Sequence, residues 1–272
     1  MAAETDNSGA ISQSDYGLLH FRGADARKFL QGQLSNDLNS VGGDELMLAG
    51  LHNPQGRVLA LLRLIALAPD HIVALLPAEL AESTGAVLRR YVLRAKVVIG
   101  PEVSATVLAE LAARMPAVAA LLDSHSRARN IAAGMPQVYI STSGEFVAQM
   151  LNLDCIGAIS FNKGCYTGQE IIARSHYRGR TKRRMQRFVS NGPVALAAGD
   201  TVQMGDGRSA RIVDTITLAD GRTEFLAVAP LEIPAGGAAA GGVAGDEAQP
   251  EGAAPARRLA ASPLPLPYAL PE

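Results

Sequence analysis

The stretch NKGCYTGQE, residues 162–170, concentrates the residue types that do chemistry. Cys165 lies between Gly164 and Tyr166, with Lys163 one residue further back. A free thiol ionises near a pH of about 8.5, and a nearby cation acting with a helix N-terminus lowers that value. Thr167 and Glu170 stand three apart ahead of Ile171, Ile172 and Ala173, which is the capping-box pattern for a helix start. Glu170 and Arg174 then follow at the i,i+4 spacing of a favourable ion pair. Cys165 is therefore expected just ahead of a helix, where unpaired N–H groups favour an anion. Glycines 164 and 168 remove side-chain bulk on either side and would admit a ligand. The chemistry implied is that of a reactive or ligand-facing thiolate. A lone cysteine can equally be a small buried hydrophobe, and Thr167 and Glu170 can be simple caps. Both readings stay open on these residues.

Cys155, in LNLDCIGAISF, has apolar neighbours and no adjacent cation, and is expected in the core. The sequence contains no C-x-x-C and no pair of histidines four apart, so no tightly bound metal is expected. The second concentrated signal is RSHYRGRTKRRMQR, 174–187, with six arginines, one lysine and one histidine. It reads either as a solvated edge or as a recogniser of phosphates or carboxylates, for which arginine offers a forked set of donors. An RNA backbone and a polyglutamate tail both qualify. His176 has no acidic neighbour in sequence to make it a general base.

These segments need a scaffold. The chain has 272 residues, 48% of them hydrophobic, no tryptophan and 4% aromatics, so its cores must be built from Ala, Val, Leu and Ile. That length suits two or three domains. A net charge of −1 excludes coating of nucleic acid or an anionic membrane by global charge. The opening MAAETDNSGA has neither a basic n-region nor an apolar h-region. The run LALLRLIAL is interrupted by Arg63 and is shorter than the ~20 residues that span a bilayer. With two cysteines only, a reducing compartment is the default, and a cytoplasmic monomer is expected.

GADARKFLQGQLSNDL predicts an amphipathic helix capped by Asp25, with Phe29, Leu30, Leu34 and Leu38 on one face. Residues 46–51 and 57–67 predict two strands joined by a type I turn at Asn53–Gly56. HIVALL and KVVIG predict further strands, and 78–93 and SATVLAELAARM predict helices, so 46–122 reads as an α/β or α+β unit. After Asp200, short β-branched runs with Asp-Gly at 206–207 and 220–221 predict a small antiparallel sheet or barrel. The Gly/Ala/Pro-rich stretch at about 235–258 has no periodic face and reads as a flexible excursion. Leu264, Leu266 and Tyr268, beyond it, are candidates to dock back.

FLQGQLSNDL (29–38), HNPQGRVLALLRL (52–64) and ISFNKGCYTGQEIIARSHYRGRTKRR (159–184), in that order, resemble the YgfZ family. These are folate-binding relatives of the glycine-cleavage T-protein, an aminomethyltransferase, and include iron–sulfur cluster assembly factors. The family signature K-G-C-Y-x-G-Q-E is complete at 163–170, and the resemblance spans about 15–230. It implies an α+β, GcvT-like cloverleaf of three domains around a central folate channel. On that pattern 1–45 and 125–185 form a discontinuous folate-binding domain, 46–124 an inserted ferredoxin-like domain, and 186–272 a small β-barrel. The resemblance also implies tetrahydrofolate or a one-carbon derivative as cofactor, with Gln33, Asp37, Arg57, Tyr166, Gln169, Glu170, Arg174 and Arg178 to bind it. Cys165 would act as a transient thiolate, with Lys163 holding negative charge. Partners would be iron–sulfur assembly proteins or cluster enzymes, with an effect on cluster-dependent tRNA modification and a tRNA contact through 174–187. One departure bears on activity: where T-proteins carry a catalytic aspartate, this chain has Ala60 and Leu61. SFNKG likewise lacks the glutamate those enzymes use on the pterin ring. Aminomethyl transfer is the alternative this departure disfavours.

Overall fold

The computed structural model describes residues 15–179, 181–231 and 257–271. Strand β1 (Tyr16–Arg22) leads into helix α1 (Ala26–Gln31). Strands β2 (Met47–His52), β3 (Val58–Ala68) and β4 (His71–Pro77) follow, then helix α2 (Ala78–Arg89) and strand β5 (Val98–Glu102). The five strands make one antiparallel sheet in the order β2-β3-β4-β1-β5. Its side chains obey the period of two. Leu19, Phe21, Leu62, Leu64, Ile72, Ala74 and Leu76 enter one core, shared with α1 and α2. Tyr16, Leu18, Ile65, Val73 and Leu75 enter another, covered by α3 (Ala105–Arg114) and α4 (Pro116–Leu122). LALLRLIAL is apolar without alternation because both faces of β3 are covered.

The predicted turn is present. Gly56 adopts φ +73°, its N–H donates to the Asn53 carbonyl at 2.9 Å, and the Asn53 side chain accepts from the Gln55 and Arg57 amides. The first helix is shorter than expected. It stops at Gln31, and Asp37 caps a separate 3-10 turn at Leu38–Ser40, although Phe29, Leu30, Leu34 and Leu38 are all buried. Asp25 does not cap α1: its carboxylate accepts from the Lys96 amide at 2.7 Å and ties the helix start to the approach of β5. Strand β1 is hydrogen-bonded on both edges, to β4 and β5, so the 1–45 and 46–124 segments share one sheet.

Helices α5 (Ser126–Ala132) and α6 (Gln169–Arg178) precede the second sheet. It is built from β6 (Arg183–Ser190), β7 (Thr201–Met204), β8 (Ser209–Thr217), β9 (Thr223–Pro230), β10 (Arg257–Leu259) and β11 (Ala261–Leu264), in the order β10-β7-β8-β9-β6-β11. Both Asp-Gly pairs sit in hairpin turns, with Gly207 at φ +86° and Gly221 at φ +81°. Strands β10 and β11 occupy opposite edges, yet only Ala260 separates them in the chain. The two edges must therefore meet, which curls the sheet into a nearly closed barrel. Phe188, Ile212, Phe225 and Ala227 fill it.

The outer face of the barrel packs on the first core through Met185, Val213, Ile216, Leu226 and Val228. Most of the Gly/Ala/Pro-rich excursion, 232–256, lies outside the described residues, and Arg257 and Arg258 already belong to β10. The apolar end does dock: Leu266 packs on the main core, and the Tyr268 hydroxyl donates to the Gly134 carbonyl at 2.7 Å. No helix among the described residues is long and apolar enough to cross a membrane.

Candidate functional site

The signature loop is fastened from beneath. The Lys163 ammonium donates to the carbonyls of Gln31, Leu34 and Asn36 at 2.7, 2.5 and 2.8 Å, and lies 5.1 Å from the centre of the Tyr166 ring. All three of its protons are thus spent on the backbone that follows α1. Burial lowers this ammonium to about 8, with Asp37 acting in the opposite direction. Ser35 accepts from the Gly50 amide and donates to the Ala158 carbonyl, and Asn36 donates to the carbonyls of Leu48 and Gly157. Segment 31–37, strand β2 and loop 157–163 therefore form one hydrogen-bonded unit. Lys163 is a clamp in this unit, which departs from its expected role as a holder of negative charge.

Cys165 is exposed and unbridged, and a Cβ built at Gly164 would meet no atom within 4 Å, so the approach to the thiol is open. Gly168 has a different job from the one expected. Its φ is +82°, and a Cβ there would stand 2.6 Å from the Asn53 carbonyl and 3.2 Å from the His52 Cβ. The residue lets the loop pack on the 53–56 turn. The expected capping box is absent, because Gly168 itself occupies the N-cap and no side chain caps α6. Glu170 and Arg174 do pair, at 2.8 Å on the surface. Tyr166 is buried, which raises its phenol to about 12, and its ring centre lies 6.2 Å from that of His52. His52 is wholly enclosed, leaves both ring nitrogens without a partner, and is pushed by burial down to about 3.

Of the remaining expected ligand residues, Gln33 buries its carbonyl oxygen unpartnered. Asp37 accepts from Gln31 and from the Asn39 amide. Arg57 donates to the Glu145 carbonyl at 2.5 Å. Gln169 opens α6, and Arg178 is exposed near its end. The basic run is not one patch. Arg184 forms a buried pair with Asp154 at 2.9 Å, Arg187 pairs with Glu224 at 2.5 Å, and Arg183 donates to the carbonyls of Ser209 and Val228. Arg180 lies outside the described residues. Cys155 is half-buried beside Asp154 and Arg184, and burial, aided by Asp154, raises its thiol to about 11.

Two adjoining cavities lie elsewhere, where the first sheet, α5 and the barrel meet. One, of about 330 Å³, is lined by Tyr16, Glu79, Arg127, Gln137 and Tyr139 among others. The second, of about 430 Å³, shares Glu79, Arg127 and Tyr139 with it and extends along 194–198 and β8. Asp214 stands behind their shared wall and holds two of its residues. Arg127 donates to this carboxylate at 2.7 and 3.0 Å, and the Tyr139 hydroxyl donates to it at 3.1 Å. A bulge in β8 between Ile212 and Asp214 makes this geometry. Ala210 and Ile212 point into the barrel, whereas Ile216 joins the outer core, so the bulge flips the alternation and sends Asp214 outward.

Burial and the Asp214 carboxylate raise the Tyr139 phenol well above its usual range. Gln137 accepts from Arg63 at 2.5 Å, but its amide nitrogen and the second Arg63 nitrogen remain buried without acceptors. None of the ligand residues expected from the resemblance lines either of these cavities. The sequence signals for them are diffuse: single polar residues far apart in the chain, with no motif. Among the described residues, no group of three or more His, Cys, Asp or Glu side chains is placed to hold a metal ion.

No family model matches the chain. The tRNA-modifying protein YgfZ of Yersinia pseudotuberculosis is 29% identical over 279 aligned positions, covering 80% of this chain and 83% of the relative. An uncharacterised protein of Haemophilus influenzae is 30% identical, covering 77% of this chain and 83% of its own length. Among solved structures, the glycine cleavage system aminomethyltransferase T of Bartonella henselae superposes with a TM-score of 0.58 at 15% identity, over 82% of this chain and 77% of that one. The matched lengths and the complete signature agree: the chain belongs to the YgfZ family, on the fold of the glycine-cleavage aminomethyltransferase.

Proposed function

We propose that this protein binds a folate, tetrahydrofolate or a one-carbon derivative of it, and serves tRNA modification by assisting iron–sulfur cluster assembly or repair. The observation that carries the ligand assignment is the cavity lined by Tyr16, Glu79, Arg127, Gln137 and Tyr139, which sets a carboxylate and a guanidinium beside two phenol rings. A pterin ring offers an amino group for the Glu79 carboxylate. Tyr16 and Tyr139 supply aromatic surface for it, and Arg127 supplies a cation. Folate, when bound, would supply the one-carbon carrier. The relatives' name as tRNA-modifying proteins supports the biological context.

Cys165 is the proposed reactive group, because it is a thiol open to solvent on a loop held by the Lys163 clamp. The proposed lobes are 1–45 with 125–185, 46–124, and 186–272, except that β1 of the first segment is hydrogen-bonded into the sheet of the second. Aminomethyl transfer is disfavoured, since Ala60 and Leu61 are fully buried in β3 and bring no carboxylate. Complementation tests the proposal. A strain lacking the protein and supplied with Cys165→Ala should fail to restore cluster-dependent tRNA modification, measured by nucleoside mass spectrometry. Full restoration by that variant would remove the thiol from the function.

A further inference from the structure

We infer that the outer face of α6 is a stacking platform for an unpaired RNA strand, which deepens the tRNA-linked reading and rests on it. The helix is held to the body by Ile172, its fully buried side chain, and by Gln149, whose amide donates to the Ile172 carbonyl at 2.7 Å. With 3.6 residues per turn, Glu170, Arg174, Tyr177 and Arg178 share the opposite face. Tyr177 stands 68% exposed in a chain that has six tyrosines, six phenylalanines and no tryptophan. It is not isolated. The His176 ring stacks on Phe161 with centres 3.9 Å apart and planes 17° apart, and Tyr177 sits edge-on to both, at 4.8 and 6.1 Å. The result is a preassembled aromatic cluster whose outermost ring is open to solvent.

Arg174 and Arg178 neighbour that ring on the same helix face. Arg174 pairs with Glu170, but both side chains are largely exposed, so a phosphate can replace the carboxylate with little loss. A flat ring beside forked cations suits the alternation of base and phosphate in a single strand. A duplex keeps its bases stacked on one another and would leave the ring unused. The arginines of β6 are committed to Asp154, Glu224 and main-chain carbonyls, which confines the interface to the α6 half of the basic run. Cys165 lies on the loop that leads into this helix, so RNA held here stands next to the signature.

Fluorescence anisotropy on the full chain tests the inference, with labelled oligouridine and an RNA duplex of equal length as probes over a salt series. Oligouridine should bind more tightly than duplex. Tyr177→Ala should weaken it about tenfold and Tyr177→Phe should restore it. Arg174→Gln with Arg178→Gln should reduce the slope of log affinity against log salt by about 1.4, or about 0.7 per lost phosphate contact. Tetrahydrofolate affinity should not change in any of these variants, which separates this surface from the cavity. Equal binding by wild type and Tyr177→Ala would overturn the platform. So would a polyglutamate peptide that binds as tightly as oligouridine with the same sensitivity to Tyr177, because the face would then be a dock for acidic protein. Loss of folate binding by wild type with these RNA results intact would overturn the cavity assignment only.

Discussion

The cavity wall and the signature loop solve opposite problems. In the wall, charged and phenolic side chains satisfy each other across the fold: Asp214 of β8 holds Arg127 of α5 and Tyr139 at once. In the loop, one side chain, Lys163, holds three main-chain carbonyls, and the thiol itself is left exposed. On the proposed function, the difference separates recognition from reaction. A wall assembled from mutually fixed groups is preorganised for a ligand, whereas a thiol on a clamped backbone is positioned yet accessible.

The largest expected effect at neutral pH comes from breaking the wall. Asp214→Asn leaves Arg127 without its countercharge, and loss of one partner of a largely buried pair costs about 3 kcal/mol. Urea denaturation should show this as a lower midpoint, and ligand binding should fall with it. Lys163→Met comes next. It deprives three carbonyls of their donor and should cost about 2 kcal/mol by the same measurement. A reduced rate of thiol modification at Cys165 should not accompany it, since the clamp is not the source of the thiol's exposure.

His52 sharpens the comparison through pH. Its folded value, about 3, lies below the unfolded value of 6.5. Between those limits the unfolded chain binds the extra proton, so stability falls as the pH drops through that window. Relative to His52→Phe, wild type should lose about 1.4 kcal/mol for each pH unit below 6.5, and the two should run parallel above it. The smallest effect belongs to Cys165→Ser, an exposed exchange that should change stability by less than about 0.5 kcal/mol while abolishing complementation.

Local features were legible in the sequence. Asp-Gly pairs marked the hairpins, Asn53–Gly56 the turn, and the signature marked the loop that carries Cys165, whose exposure the residues alone left open. What escaped was set by contacts distant in the chain. Lys163 neighbours Cys165 in sequence, but its ammonium is drawn to carbonyls more than a hundred residues away. Asp214 meets Arg127 because a bulge reverses the alternation of β8, which an alternating pattern read residue by residue does not reveal. The arginines from 174 to 187 look alike in a row. Helix and strand then separate them, leaving Arg174 on the surface and burying Arg184 against Asp154.

The most direct measurement is a calorimetric titration with tetrahydrofolate of wild type, Glu79→Gln and Cys165→Ser. Glu79→Gln keeps the oxygen that accepts from the Ile140 amide and removes only the charge facing the cavity. Binding by wild type and Cys165→Ser with equal affinity, and at least tenfold weaker binding by Glu79→Gln, is the predicted result. Unchanged affinity in Glu79→Gln together with loss in Cys165→Ser would put the ligand at the signature loop and contradict the division of labour between the two regions.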